Sequence, residues 1–215
     1  DKTVRILYVG RIVPEKGVHV LLDAMTLLSD ALQKQDLSLE LTLVGTPVIG
    51  KSVASSYYHS ILERIEHLHE PRGKLRLQVR HIPYLNRVEL TQRYLATDIV
   101  VCPSVWEEPW AYVKLEALFF KAVLIASKAG GIPEGLTSGK DCFLIEKGDA
   151  KALASRLESV LLGISKKDAS LKALCERGHT LVASQYLTQN RYKRFLAGIQ
   201  SVFAGKALAR RTPRK

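Results

Sequence analysis

The sequence has few cysteines and no long apolar run. Its three cysteines, Cys102, Cys142 and Cys175, include no Cys-x-x-Cys spacing, which argues against a disulfide framework or a zinc site and favours a reducing compartment. The longest apolar runs, such as 98–102 and 122–126, fall far short of the ~20 residues that cross a bilayer. The first residues show no secretory leader pattern. We therefore expect a globular, cytoplasmic protein without a transmembrane helix.

Motifs for metal binding are also missing. No Asp-x-Asp occurs, and histidines and carboxylates do not cluster at the spacing of metal ligands. His67 and His69 fall on the polar side of a predicted helix, where we expect them to be solvated. The sequence therefore predicts neither a metal nor a cofactor.

Positive charge is concentrated at one end of the chain. Of the formal net charge of +11, +8 comes from residues 186–215, which contain no acidic residue. No aromatic residue follows Phe203 in this segment and no recognition helix is evident, which argues against nucleic-acid binding. Two interpretations stay open: a solvated helix with a frayed end, or contact with the inner face of a membrane or with a partner domain.

Strand and helix patterns alternate along the chain. Such alternation predicts a doubly wound α/β fold, with a Rossmann-like parallel sheet and helices on both faces, because parallel neighbours need long crossovers. We expect one domain over 1–203, with a last helix at about 188–203 and a basic tail over 204–215. Gly163 and Gly178 are expected to break the preceding helical stretch. The strands are predicted at 3–9, 38–44, 75–82, 98–102, 122–126 and 142–145, and the helices at 17–34, 52–69, 87–96, 112–120 and from Ala150 onward.

The loop after the first strand, 10–17, carries two cations between two glycines. Ligands bind at the carboxyl ends of the strands in open α/β sheets. The guanidinium of Arg11 suits phosphate oxygens and the ammonium of Lys16 adds a point charge, so the pair suits a diphosphate. The alternative is two solvated loop cations.

The segment after the fourth predicted strand carries two candidate glutamates, Glu108 and Glu116. Glu108 lies before a predicted helix and Glu116 about one turn inside it, so both carboxylates are expected to point into one cleft, where they suit hydroxyl-rich ligands. A helix start near Ala111 or Tyr112 would add backbone N–H groups for a phosphate. The alternative is that both glutamates are ordinary helix-associated carboxylates. A third loop, 127–134, has paired glycines and a proline that permit a tight turn, which alone is a weak signal.

Together and in this order, these segments resemble the C-terminal domain of the family-four retaining glycosyltransferases of the GT-B fold. The resemblance covers about residues 4–163. Its motifs are the GR-x4-KG loop at 10–17, the LVG strand end at 43–45, the E-x7-E block from Glu108 to Glu116 and the GGIPE turn at 130–134.

The resemblance implies a role for each matching residue. Arg11 and Lys16 would bind the departing diphosphate and, with Glu108 at the donor sugar, form the catalytic set. Glu116 would hold the ribose, and Pro83, Tyr84 and Leu85 would flank the nucleobase. The remaining expected donor contacts are Gly10, Trp110, Ala111, Tyr112 and Val113.

The same resemblance implies metal-independent, retaining transfer of a hexose from a nucleoside-diphosphate sugar, with UDP favoured by the habits of the family. The acceptor would be a saccharide or a lipid-linked molecule bound by an N-terminal domain that this chain lacks, so the isolated domain is expected to be inactive. The family usually has glycine where Ala111 stands, glycine near Lys121 and proline near Val123, so this chain departs from the family at these positions. Alternatives are a non-catalytic nucleotide-sugar-binding module and a nucleotide-sugar epimerase of the same fold.

Overall fold

A computed structural model describes residues 3–47, 52–70, 73–187 and 189. Within this part of the chain, six parallel strands form one sheet in the order β3-β2-β1-β4-β5-β6. The strands are β1 (Val4–Val9), β2 (Ser38–Val44), β3 (Arg76–Ile82), β4 (Ile99–Cys102), β5 (Val123–Ser127) and β6 (Phe143–Ile145). The helices are α1 (Val18–Leu32), α2 (Ser52–Leu68), α3 (Arg87–Leu95), α4 (Tyr112–Phe119), α5 (Ala150–Ser165) and α6 (Ala169–Gln185).

Neighbouring residues of the central strands belong to two different cores. In β1, Ile6 and Tyr8 pack in a core with α1, α2 and α5, whereas Leu7 packs in a second core with α3, α4 and α6. Both faces of the sheet are therefore covered, which explains why the central strands β1, β4 and β5 read as nearly continuous apolar runs. The predicted doubly wound, Rossmann-like α/β fold is confirmed.

The strand order places a functional site at one position of the sheet. The chain winds outward from β1 to β3 and then crosses back to β4, which pairs with the other side of β1. The loops after β1 and β4 therefore diverge to opposite faces of the sheet. In open α/β sheets this divergence leaves a crevice at the carboxyl ends of the two strands.

The predicted helix breaks at Gly163 and Gly178 are wrong. Gly163 lies inside α5 and Gly178 inside α6; the chain breaks between these helices at 166–168, where Lys167 has a φ of 53°. The two glycines serve packing instead. A Cβ atom added to Gly178 would lie 2.7 Å from Cδ2 of Leu118, and one added to Gly163 would lie 2.6 Å from Cδ1 of Leu171.

The chain end predicted as a helix over about 188–203 and a basic tail over 204–215 lies outside the described residues, apart from residue 189. In the part that is described, no helix combines the length and apolar character needed to span a bilayer.

Candidate functional site at the carboxyl edge of the sheet

A cavity of about 380 Å³ opens at the carboxyl ends of β1 and β4. This volume lies in the range of sites that hold small molecules. The end of β1 and its loop, the end of β4 and its loop, and the first turn of α4 all contribute to the walls. The lining residues are Tyr8, Val9, Gly10, Arg11, Lys16, Cys102, Pro103, Ser104, Glu108, Pro109, Trp110, Ala111, Tyr112 and Val113.

Backbone contacts fix the loop that carries Arg11 and Lys16. The hydroxyl of Tyr8 donates to the carbonyl of Arg11 at 2.7 Å. Gly17, with a φ of 68°, closes a 3-10 turn, and a Cβ atom there would lie 1.9 Å from the carbonyl oxygen of Pro103. Only glycine lets the two loops approach this closely. In this loop Arg11 is exposed at the mouth of the cavity, while Lys16 lies deeper within it.

Glu108 is a buried carboxylate with three donors around one oxygen. Its Oε2 accepts from Nζ of Lys16 at 2.6 Å, from Nε1 of Trp106 at 2.9 Å and from Oγ of Ser104 at 3.4 Å. Burial alone would raise the pKa of Glu108, but the hydrogen bonds from Lys16, Trp106 and Ser104 outweigh burial and hold this pKa below its ordinary value. The carboxylate is therefore charged and oriented at neutral pH.

Helix α4 begins at the cavity wall. Its N-cap is Ala111, a non-glycine residue in the left-handed region with φ 56° and ψ 80°, a conformation that costs an alanine roughly 1–2 kcal/mol. Tyr112 and Val113, the first two residues of α4, line the cavity. The first N–H groups of a helix lack partners within it and carry the positive end of its dipole, so this wall suits an anion.

Four of the predicted contacts lie outside the cavity walls. Glu116, one turn into α4, accepts a hydrogen bond from the hydroxyl of Tyr94 at 2.7 Å and does not line the cavity. The buried Tyr94 hydroxyl needs an acceptor, which draws this carboxylate toward α3. Of the two glutamates, Glu108 alone lines this cavity, and the expectation that both carboxylates serve one ligand stays a prediction. Pro83, Tyr84 and Leu85 also do not line it, and Tyr84 is 77% exposed.

The structure adds residues that the sequence did not single out. Trp106 and Ser104 hold the Glu108 carboxylate, and Tyr8 holds the Arg11 backbone. Lys114 of α4 is fully buried, and its Nζ lies 4.0 Å from the centre of the Trp110 ring. The sequence signal for Lys114 is a lysine one helical turn from the apolar residues Ala117 and Leu118.

Among the described residues, no group of three or more histidine, cysteine, aspartate or glutamate side chains is placed to hold a metal ion. The cations at this site belong to the protein itself, Arg11 at the mouth and Lys16 within. Independence from metals stays a prediction.

Residues 1–173 match the family described as "Glycosyl transferases group 1". The chain belongs to this family. Among curated relatives, spore coat protein SA of Bacillus subtilis is 28% identical over 164 residues, covering 76% of this chain and 41% of that protein. The lipopolysaccharide 1,2-N-acetylglucosaminetransferase of Salmonella typhimurium is 27% identical over 198 residues, covering 91% of this chain and 47% of that protein. This group 1 glycosyl transferase chain thus spans less than half the length of these two relatives.

Solved structures show the same fold. The C-terminal domain of the group 1 family protein LpcC from Francisella tularensis superposes with a TM-score of 0.68 at 23% identity, covering 85% of this chain and 86% of that one. Anabaena HepE, crystallised with UDP-glucose, gives a TM-score of 0.71 at 22% identity, covering 91% of this chain and 49% of that one. The group 1 chain therefore has the architecture of the C-terminal half of a GT-B glycosyltransferase, as its motifs predicted.

Proposed function

We propose that this chain is the donor-binding domain of a retaining glycosyltransferase that moves a hexose from a UDP-sugar to a saccharide or lipid-linked acceptor. The observation that carries the proposal is that two cations and a buried carboxylate lie in one cavity, in the crevice at the carboxyl ends of β1 and β4. Arg11 and Lys16 face the same space as Glu108 and the first turn of α4. Membership of the group 1 glycosyl transferases supports the reaction class.

In this proposal the diphosphate lies between the two cations and the amino end of α4. The two cations and the helix end neutralise the negative charge that develops on the diphosphate as its bond to the sugar loosens. The wall formed by Tyr112 and Val113 offers backbone N–H groups, which stabilise an anion without a metal. The acceptor hydroxyl then attacks the anomeric carbon on the face from which the diphosphate leaves and gives its proton to the departing diphosphate oxygen, so that the configuration is retained.

Glu108 would orient the sugar without forming a bond to it. Its Oε2 already accepts three hydrogen bonds, from Lys16, Trp106 and Ser104, so Oε1 is the oxygen that can accept from a sugar hydroxyl. Glu116 would use its Oε1 for the ribose in the same way, because Tyr94 occupies its Oε2. The solved complex of Anabaena HepE with UDP-glucose, a protein of the same fold, supports UDP as the nucleotide.

Calorimetry on the 215-residue chain tests donor binding, with UDP, GDP and ADP as probes. We expect UDP to bind most tightly. Arg11→Ala and Lys16→Ala should each weaken binding by about tenfold or more, since a hydrogen bond to a charged group contributes roughly 1.5–3 kcal/mol. Arg76→Ala is the charge-matched control, because Arg76 lies at the amino end of β3 and pairs with Asp36. If all three variants lost the same amount of affinity for UDP, the loss would reflect the change in net charge and not direct contacts with the diphosphate.

Transfer itself is tested in the full-length protein that contains this domain. Glu108→Gln and Arg11→Ala should each lower kcat/KM by about a hundredfold, the order of magnitude found when one group that stabilises a transition state is removed. Turnover within about twofold of wild type in both variants would contradict the assigned roles. Nucleotide binding without any sugar transfer would favour a non-catalytic nucleotide-sugar-binding module instead.

A further inference from the structure

Lys114 carries a charge into the interior of the protein, and the donor contacts proposed above do not use it. Its side chain is 0% exposed. Its Nζ donates to the carbonyl oxygens of Gly131 at 2.5 Å, Ile132 at 3.1 Å and Glu134 at 3.4 Å. An ammonium group has three N–H donors and no acceptor, so three carbonyls account for all of them.

An aromatic ring completes the surroundings of this ammonium. Nζ of Lys114 lies 4.0 Å from the centre of the Trp110 ring, within the range of a cation–π contact. Trp110 also lines the donor cavity. One side chain therefore contacts both the buried ammonium and the space proposed for the donor.

The turn that Lys114 holds is bonded on its other side to the segment carrying Glu108. The amide of Gly130 donates to Oε2 of Glu107 at 2.7 Å, and the amide of Gly131 donates to the carbonyl of Glu108 at 2.6 Å. No side chain separates the two segments, since a Cβ atom on Gly130 would lie 2.4 Å from the Glu108 carbonyl oxygen. The order of contacts is Lys114, then the 130–134 turn, then the backbone of Glu108.

The energetic cost of this arrangement indicates a purpose beyond filling space. Burial lowers the pKa of Lys114, and an apolar side chain of the same length would fill the interior without the cost of desolvating a charge. What an apolar side chain cannot do is satisfy the three carbonyl oxygens of the turn. Those carbonyls accept from Lys114, while the amides of Gly130 and Gly131 in the same turn donate to residues 107 and 108.

We propose that Lys114 is a positioning residue of the donor site. It fixes the 130–134 turn on α4, and that turn fixes the backbone of Glu108 beside Lys16. The Lys114 ammonium also contacts the ring of Trp110 at the cavity wall. This inference rests on the proposed donor-binding function of the cavity for its effect on affinity. Its effect on the turn does not depend on any ligand.

Lys114→Met tests the proposal because it keeps an unbranched side chain, one heavy atom shorter than lysine, and removes every donor. The control is Leu28→Ala, which destabilises the core on the other face of the sheet. The two variants are compared at temperatures where each is equally far below its own Tm. We measure hydrogen exchange of the Gly130 and Gly131 amides in the unliganded chain and the Kd of UDP.

The expected result for Lys114→Met is exchange at Gly130 and Gly131 at least tenfold faster than in Leu28→Ala, and UDP affinity at least tenfold weaker. Exchange at both amides equal to that in Leu28→Ala, or UDP affinity within twofold of wild type, would overturn the proposal. If the wild-type chain bound none of the three nucleoside diphosphates, the proposed function would fail, whereas the exchange rates would still judge the role of Lys114.

Lys114→Gln keeps the test decisive if the methionine variant does not fold. Its amide supplies two N–H donors for three carbonyl oxygens, so exchange at Gly130 and Gly131 should be faster than in wild type. Wild-type exchange in Lys114→Gln would overturn the proposal. Lys128→Met is a second control, because Lys128 is an exposed lysine beside the turn and pairs with Glu146. This variant should change neither exchange at these amides nor UDP affinity.

Discussion

Nζ of Lys16 lies 2.6 Å from Oε2 of Glu108, although the two residues are 92 positions apart in the sequence. The pair joins the loop after β1 to the loop after β4 across the cavity. A diphosphate that binds Lys16 must share this ammonium with Glu108 or take it away. The ion pair therefore links the charge state of the carboxylate to occupation of the site.

The first prediction concerns protons. When a diphosphate draws Lys16 away, Glu108 loses its counter-ion and its pKa rises toward the ordinary value of about 4.3 for glutamate. Between the lower pKa of the unliganded protein and the higher pKa of the complex, UDP binding must take up protons at Glu108. Calorimetry in buffers of different ionisation enthalpy, at about pH 4, measures the uptake.

The nucleotide phosphate titrates as well, so the matched control is Glu108→Gln at the same pH. Because glutamine does not titrate, the difference in proton uptake between wild type and this variant isolates the Glu108 carboxylate. Equal uptake in the two proteins would mean that Lys16 stays with Glu108 in the complex.

The second prediction concerns Ala111. Ala111→Gly removes the cost of a left-handed alanine at φ 56° and should raise the free energy of unfolding by about 0.5–1 kcal/mol after the entropy of the unfolded glycine is counted. Chemical denaturation measures this change. Lys167→Gly, at φ 53°, is the control for backbone strain alone, because it lies outside the cavity walls.

Only the first of these two variants changes a cavity wall. Ala111→Gly should therefore alter the preference among UDP-sugars, while Lys167→Gly should leave it unchanged. Equal sugar preference in wild type and Ala111→Gly would show that the methyl group of Ala111 does not contact the sugar.

The third prediction concerns Tyr94. Tyr94→Phe removes the hydroxyl that donates to Glu116 at 2.7 Å, so the carboxylate should lose its fixed orientation and UDP should bind less tightly. Pyrophosphate, which has no ribose, should bind the variant as it binds wild type. If both ligands weakened by the same factor, Tyr94 would support the diphosphate site and not the ribose contact.

The fourth prediction compares two helical glycines. Gly178→Ala places a Cβ atom 2.7 Å from Cδ2 of Leu118 and 3.0 Å from the backbone oxygen of Asp141, and overpacking of this kind costs about 1–3 kcal/mol. Gly163→Ala meets a methyl group of Leu171 at 2.6 Å, which can rotate away. Both substitutions gain up to about 1 kcal/mol of helix propensity, so the difference between them rests on what each Cβ atom meets.

Thermal or chemical unfolding decides between these expectations. Gly178→Ala should be clearly less stable than wild type, and Gly163→Ala close to it. Equal stability of the two variants would mean that the backbone near Asp141 yields as easily as the Leu171 side chain.

The fold was predictable because its signals are local. The predicted strand over 38–44 matches β2 in full, since Leu39, Leu41 and Leu43 recur with the two-residue period of a strand. Gly163 and Gly178 were misread because a glycine that lets two helices approach looks, in sequence alone, like one that ends a helix. Only the positions of Leu118 and Leu171 distinguish the two cases.

The candidate site could be predicted from the sequence where its charged residues lie in loops directly after strands. It could not be predicted where a side chain is held by a hydrogen-bond partner that is distant in the sequence. Arg11, Lys16 and Glu108 were found from strand ends and motif spacing, and they do line one cavity. The hydrogen bond between Tyr94 and Glu116 joins α3 to α4. The sequence of neither helix indicates that these two side chains meet. Lys114 is a single lysine in a largely apolar helix. Its three carbonyl acceptors lie 17 to 20 residues away in the sequence.

Both tryptophans of the chain belong to this one edge of the sheet. Trp106 donates its indole N–H to Glu108, and Trp110 lines the cavity while its ring covers the Lys114 ammonium. Ultraviolet emission excited at the indole bands therefore arises entirely from groups that touch the proposed donor site or its support. The protein carries its own optical probe, so titrations with nucleotides need neither a label nor a competing dye.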